Sequence, residues 1–132
     1  MPLGDVTEKN AFLDAAFGAG HAASMASSHD LALFTGNPYG GGVETDYAGY
    51  ARTAVANDAG WPAAADAMKT RQVTPPAATG AASLDVLTWV LFNGSTITAW
   101  EFLDGPITID GPGTVGPIGV TVYIPDDANQ GV

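Results

Sequence analysis

The feature that most constrains the fold is an apolar run that ends in a hairpin signal. Leu84–Phe92 contains Val, Thr and Trp among its apolar residues, a composition typical of a strand covered on both faces. Asn93-Gly94 follows directly and is the strongest short-range signal for a two-strand turn. Ser95–Leu103 then alternates two sets of side chains with period two, as a strand does. The sequence therefore predicts a β-hairpin here.

Further short segments with strand character lie between turn signals that recur about every ten residues. The predicted strands are Leu31–Thr35, Tyr50–Ala56, Met68–Val73, Ile107–Ile109 and Ile118–Ile124. Asp110-Gly111-Pro112-Gly113 predicts a turn, and the Ala/Pro segment 74–83 predicts a long connection. This pattern is typical of a mainly β protein with a single β-sandwich or jelly-roll-like domain.

The N-terminal segment predicts a short helix over residues 6–17. Asp5 and Glu8 have the spacing of a capping box, and Gly18 supplies a stop. The apolar residues at helical spacing are Phe12, Leu13, Ala16 and Phe17. This stripe either packs in the core or docks on a neighbouring subunit, so Phe12, Leu13 and Phe17 are candidate partner contacts.

The predicted organisation is one domain over residues 1–132. We divide it into an N-terminal arm and helix over 1–18, a β-domain over 31–124 and an acidic tail over 125–132. The length suits one ordinary domain, and a hydrophobic content of 46% is enough to bury a core.

The charge of the chain excludes two classes of partner. Fourteen acidic residues against four basic ones give a net charge of −10. Binding to nucleic acid or to an anionic membrane surface needs Lys and Arg, and only Lys9, Arg52, Lys69 and Arg71 are present. No apolar run is long enough to span a bilayer, and the N-terminus lacks a basic region, so we expect use without Sec export.

No motif nominates catalytic or metal-binding residues. The chain has no Cys, and it contains no P-loop, dinucleotide fingerprint or H-E-x-x-H pattern. His21 and His29 lie near several Ser residues but without a G-x-S-x-G turn. Paired carboxylates such as Glu44 and Asp46 lack the spacing of an EF-hand, and turn propensity explains them. We therefore expect no enzyme activity, no cofactor and no metal.

Aromatic residues around the Gly-rich loop are the other candidate partner contacts. Tyr39, Tyr47 and Tyr50 lie in or beside this loop, where burial is less natural, and Arg52 is expected to pair with a carboxylate inside the fold or across a subunit boundary. The tryptophans and tyrosines also allow a sugar-binding face. Trp89 and Trp100 flank the predicted hairpin turn and could approach one another across it, in which case cross-strand aromatic packing is the plain explanation.

The first half of the chain carries a resemblance. MPLGDVTEKNAFLDAAFG, LALFTGNP, an acidic Gly-rich loop, YAGYARTAV and WPAA follow one another through Ala64. Together they resemble small virion structural proteins of tailed bacteriophages, especially those that infect actinobacteria. Members of this family are described as minor capsid, head decoration or tail-fibre-like proteins, with a short N-terminal helix.

The resemblance implies a non-enzymatic protein of the virion. The leading hypothesis is a capsid decoration or minor capsid protein on the outer head surface that contacts the major capsid protein and forms a dimer or trimer. It would be made in the host bacterial cytoplasm. A tail or tail-fibre component is the first alternative, and a small lectin or carbohydrate-active enzyme is the second.

Overall fold

The helix near the start of the chain lies where the sequence predicts it. The computed structural model describes residues 5–125, and α1 spans Val6–Ala16. The Asp5 carboxylate accepts a hydrogen bond from the backbone N–H of Thr7 at 2.7 Å and so caps the helix. Gly18, with φ of +100°, follows the C-cap residue and takes the left-handed conformation that ends many helices.

Strands dominate the remainder of the structure. They are β1 (Ser28–Phe34), β2 (Thr53–Ala56), β3 (Met68–Val73), β4 (Ala78–Asn93), β5 (Thr96–Gly113) and β6 (Ile118–Tyr123). Strands make up 49% of the described residues and helix 9%, and the strands form two antiparallel sheets. One sheet has the order β2-β1-β4-β5 and the other pairs β3 with β6. The predicted fold class, mainly β and β-sandwich-like with a short N-terminal α-helix, is confirmed.

The predicted hairpin joins β4 to β5. Asn93 pairs with Thr96, so Gly94 and Ser95 form a two-residue loop. Gly94 has φ of +63°, which glycine adopts without the strain that a side chain would bring. The hairpin signal in the sequence is confirmed.

The two strands of the hairpin extend further than the sequence predicts. Residues 78–83, part of the predicted connection over 74–83, belong to β4, and the predicted turn at 110–113 belongs to β5. The short strand predicted at Ile107–Ile109 is likewise a part of β5 and not a separate element. The reason is pairing between the two mispredicted segments, since Ala82 lies opposite Gly111.

Strands β1 and β4 form the buried centre of the larger sheet. Leu31 pairs with Leu91 and Leu33 with Trp89, and all four side chains are buried. The alternate residues form an apolar cluster on the other face: Ala32, Phe34, Val90 and Phe92, with Ile97 and Trp100 packed against it. The continuous apolar run in the sequence is thus explained by burial of both faces.

The described residues fall into two structural units. The first unit comprises residues 5–27, Ala56–Arg71 and residues 119–125, and the second comprises Ser28–Val55 and Gln72–Ile118. The acidic tail predicted over 125–132 lies outside the described residues except for Pro125. The single domain over residues 1–132 stays a prediction.

Candidate functional site

The apolar stripe of the N-terminal segment contributes mainly to the first unit's own packing. Leu13 and Phe17 are buried, and the rings of Phe17 and Trp61 lie 5.2 Å apart between centroids. Phe12, by contrast, is 56% exposed. The sequence leaves two roles open for this stripe, core packing and docking on a partner. Leu13 and Phe17 pack in the core, whereas the side chain of Phe12 is accessible to a partner.

A second feature of the first unit is a buried ammonium group. Lys69 Nζ donates to Asp14 Oδ1 at 2.5 Å, and its side chain is only 3% exposed. The same carboxylate oxygen accepts from the backbone N–H of Ala64 at 3.0 Å. The hydrogen bond from Lys69 lowers the pKa of Asp14 below its ordinary value, so this carboxylate stays ionised at neutral pH.

This ion pair borders a surface cavity of about 450 Å³. The lining residues are Asp14, Ala19, Gly20, Ala59, Trp61, Pro62, Ala63 and Lys69. Because the only two charged lining groups bind each other, the cavity has the chemistry of a small apolar recess and not that of an acid–base site.

In the second unit the Gly-rich loop closes on itself through hydrogen bonds. The backbone N–H groups of Gly40 and Gly42 donate to the Asn37 carbonyl at 3.0 and 2.8 Å. A Cβ on Gly42 would collide with the backbone of Gly36, which explains glycine there. The loop presents Tyr39, which is 72% exposed, to solvent.

Glu44 links two of the predicted partner contacts. Its carboxylate accepts from Arg52 Nε at 2.9 Å and Nη2 at 2.8 Å, and from Tyr50 Oη at 2.6 Å. The Arg52 hydrogen bonds lower the pKa of Glu44, and burial, with the Glu44 carboxylate as a second cause, raises the pKa of Tyr50. The Arg52 guanidinium also lies 3.9 Å from the centroid of the Phe92 ring. These contacts hold the loop against the sheet, and we call Glu44, Tyr50 and Arg52 together the clamp.

Tyr47 is a correction to the sequence-based expectation. The sequence suggests that burial near the loop is unnatural, yet Tyr47 is only 5% exposed. Its hydroxyl donates to the Pro76 carbonyl at 2.6 Å, and its ring meets that of Tyr50 at 5.3 Å. The hydrogen bond satisfies the polar end of the side chain, which makes burial favourable. Tyr39 is the one of the three loop tyrosines that is freely presented.

The packing of the two hairpin tryptophans also differs from the prediction. Trp89 pairs with Glu101 and Trp100 with Val90, so the two indoles lie on opposite faces of the sheet. Trp100 instead meets Phe102 edge-on, with ring centroids 5.3 Å apart. Trp61 and Trp89 are each 3% exposed, so neither can contribute to a sugar-binding face.

The sequence does not reveal that Trp100 and Phe102 lie together at the edge of the sheet. Phe102 is 52% exposed and lies on β5, which has a strand neighbour on one side only among the described residues. The alternation over Ser95–Leu103 predicts a strand but does not tell an edge strand from a central one. The available signal is that an aromatic pair falls at i and i+2 in a segment with acidic neighbours.

Each of the four basic side chains has a partner within its own unit. Arg52 binds Glu44, Lys69 binds Asp14 and Arg71 binds Asp58. Lys9 Nζ donates to the Pro125 carbonyl at 3.3 Å. The surface charge that is left over is therefore acidic.

Neither a metal cluster nor a membrane-spanning helix marks the described part of the chain. Within residues 5–125 no group of three His, Asp or Glu side chains is placed to hold a metal ion. No helix in that range has the length and apolarity needed to cross a membrane. Comparison of the chain with known protein families, with curated proteins and with solved structures finds no match.

Proposed function

We propose that this chain is a non-enzymatic structural protein of a tailed-bacteriophage virion. Its role is that of a capsid decoration or minor capsid protein on the outer head surface, where it stabilises contacts between capsomers. Its partners are the major capsid protein and further copies of itself in a dimer or trimer. It is made in the host bacterial cytoplasm and acts on the particle.

The observation that supports this role best is the exposed edge of the larger sheet. The second unit ends in a long strand whose outer side has no described neighbour and whose aromatic residue Phe102 is half exposed. Exposed apolar side chains at a free sheet edge are typical of protein-binding surfaces. A decoration protein needs such a surface and needs no reaction centre.

The charge distribution supports the outer surface over the lumen of the head. The net charge is −10, and all four basic side chains are engaged inside the chain. A protein of this kind is repelled by packaged DNA because it has no free cations to replace the counterions of the phosphates. The outside of a DNA-filled shell imposes no such cost.

Quantitative mass spectrometry of purified particles tests the proposal. The measurement is the copy number of this chain relative to the major capsid protein of a phage that encodes it. A decoration protein is expected at on the order of hundreds of copies because it repeats with the capsid symmetry. A few to a few tens of copies would instead support the tail or tail-fibre alternative, and absence from the particle would contradict both.

A further inference from the structure

The outer edge of β5 has no strand paired with it among the described residues. In the larger sheet β5 is the last strand, and its inner side pairs with β4. Across residues 5–125, no further strand covers the outer side. A free edge of this kind carries a row of backbone N–H and C=O groups that an extended segment of another chain can pair with.

Irregularities divide this edge into short regular stretches, of which Ala99–Phe102 carries the aromatic residues and Ile107–Gly111, paired with Ala82–Val86, carries none. Ala99–Phe102 pairs in continuous register with Thr88–Leu91. Beyond it, residues 103–106 lie opposite Leu87 alone, which bulges β5 and places Pro106 at the edge. Bulges and prolines protect edge strands against long, indiscriminate pairing. The edge therefore suits a short extended segment and not a continuous stack of strands.

The two faces of the Ala99–Phe102 stretch have different chemistry. Trp100 and Phe102 point to one face and form an aromatic pair, in which Phe102 is exposed and Trp100 is partly buried against the apolar cluster of the sheet. Ala99 and Glu101 point to the other face. An added strand has the same period of two, so one set of its side chains would lie beside the aromatic pair and the other set beside Glu101.

The charge of the β4–β5 hairpin indicates which kind of segment the edge can bind. The chain contains no Lys or Arg after Arg71. The hairpin of β4 and β5 carries four acidic residues, Asp85, Glu101, Asp104 and Asp110. Across residues 5–125, no basic side chain forms an ion pair with any of them. A second copy would bring the same carboxylates to the edge and be repelled, whereas a cationic segment is attracted.

We propose that the β5 edge at Ala99–Phe102 binds an extended segment of a partner protein in which Lys or Arg alternates with apolar residues. Backbone hydrogen bonds add the segment as a fifth strand of the sheet. Its apolar side chains cover Phe102 and Trp100, and its cationic side chains lie beside Glu101. This inference rests on the proposed function only in taking the partner to be a coat protein.

Synthetic peptides test the pairing with the full chain unchanged. The probe is an acetylated and amidated heptapeptide that alternates Lys with Val and Phe, and the control has the same composition in one Lys block and one apolar block. We expect the alternating peptide to bind at least about tenfold more tightly in isothermal titration calorimetry, because only it presents one chemistry to each face. Amide NMR shifts are expected to be largest at Ala99–Phe102.

N-methylation of the alternating peptide separates strand pairing from general attraction. Methylating the alternate backbone nitrogens that face β5 removes their donors and is expected to abolish binding, while methylating the other alternate set leaves it. The peptide can present either of its two edges to β5, so both methylated peptides are made. The expected result is that their affinities differ. Equal binding by the two methylated peptides would overturn the proposal.

Variants of the edge give the energetic test. Phe102→Thr keeps a strand-forming residue and is expected to weaken the alternating peptide about tenfold. Glu101→Gln is expected to weaken it about threefold at low salt, with the difference shrinking as salt rises. Two controls at exposed positions of the same unit, Val43→Thr and Asp46→Asn, should change the affinity less than about twofold.

The outcomes for this inference and for the virion proposal are distinguishable. Equal affinity for the alternating and block peptides, NMR shifts centred away from β5, or no binding at millimolar peptide overturns the edge proposal. If the chain attaches to particles and saturating alternating peptide does not compete, the edge proposal fails and the virion proposal stands. If the peptide binds at β5 but the chain is absent from particles, the virion proposal fails and the edge proposal stands.

Discussion

Strands β4 and β5 are paired with each other along most of their lengths, yet they bury very different shares of their side chains. In β4 the five residues from Thr88 to Phe92 are all buried, whereas in β5 only Ile109 is. Both strands lack Lys and Arg. The difference follows from position, because β4 lies between β1 and β5 while β5 has a neighbour on one side only among the described strands.

Two phenylalanines show what this position means for a single side chain. Phe92 on β4 is 7% exposed, and the Arg52 guanidinium covers its ring. Phe102 on β5 is 52% exposed and meets the Trp100 ring in a T-shaped arrangement. The same residue type therefore contributes to the core in one strand and to an open surface in the next. Apolar content alone does not tell these roles apart.

The largest expected effect comes from two leucines of β4 that differ in burial. Leu91 is fully buried and Leu87 is 38% exposed. Leu91→Ala should lower the free energy of unfolding by about 3 kcal/mol, through lost burial and a cavity. Leu87→Ala should lower it by less than about 1 kcal/mol, because less buried apolar surface is lost with this side chain. Urea denaturation of both variants measures the two losses, and equal losses would contradict the assignment of the buried stretch.

A pair of glycines in β5 tests the close approach of the two strands away from the turn. A Cβ on Gly111 would press against the Gly80 carbonyl and the Ala78 side chain, whereas Gly105 has no atom within 4 Å of that position. Gly111→Ala should therefore destabilise by about 2 kcal/mol. Gly105→Ala should be neutral or stabilise by up to about 0.5 kcal/mol. Thermal unfolding compares them, and a neutral Gly111→Ala would argue against this packing.

The sequence predicts the elements whose signals are local. The capped helix, the Asn93-Gly94 hairpin and the strand Met68–Val73 all lie where short-range patterns place them. The predictions for segments 78–83 and 110–113 are wrong because the Gly, Pro and Asp residues in and around these segments favour turns locally. Pairing between the two segments supplies the hydrogen bonds that keep them extended. Such long-range pairing is invisible to a local pattern.

The candidate contacts were predictable to a smaller extent for the same reason. Arg52 was expected to find a carboxylate, and Glu44 is that partner. The burial of Tyr47 depends on the Pro76 carbonyl, which lies far away in the sequence. The exposure of Phe102 depends on the order of strands in the sheet. Neither a distant acceptor nor a strand order can be read from the residues around these positions.

The smallest effect concerns the clamp that covers Phe92 and has no counterpart over Phe102. Glu44→Gln removes the charge that orients Arg52 and should cost about 1 kcal/mol at pH 7, since the Glu44–Arg52 pair is partly exposed to solvent. The pKa of Glu44 is lowered in the fold, so its contribution is complete above the unfolded pKa of about 4.3 and is lost as the pH falls through the folded pKa. The stability difference between the wild type and Glu44→Gln should therefore shrink on acidification. Urea midpoints at pH 7 and pH 3 measure it, with the exposed Asp46→Asn as control. A difference that is independent of pH would show that the charge of Glu44 does not hold the clamp.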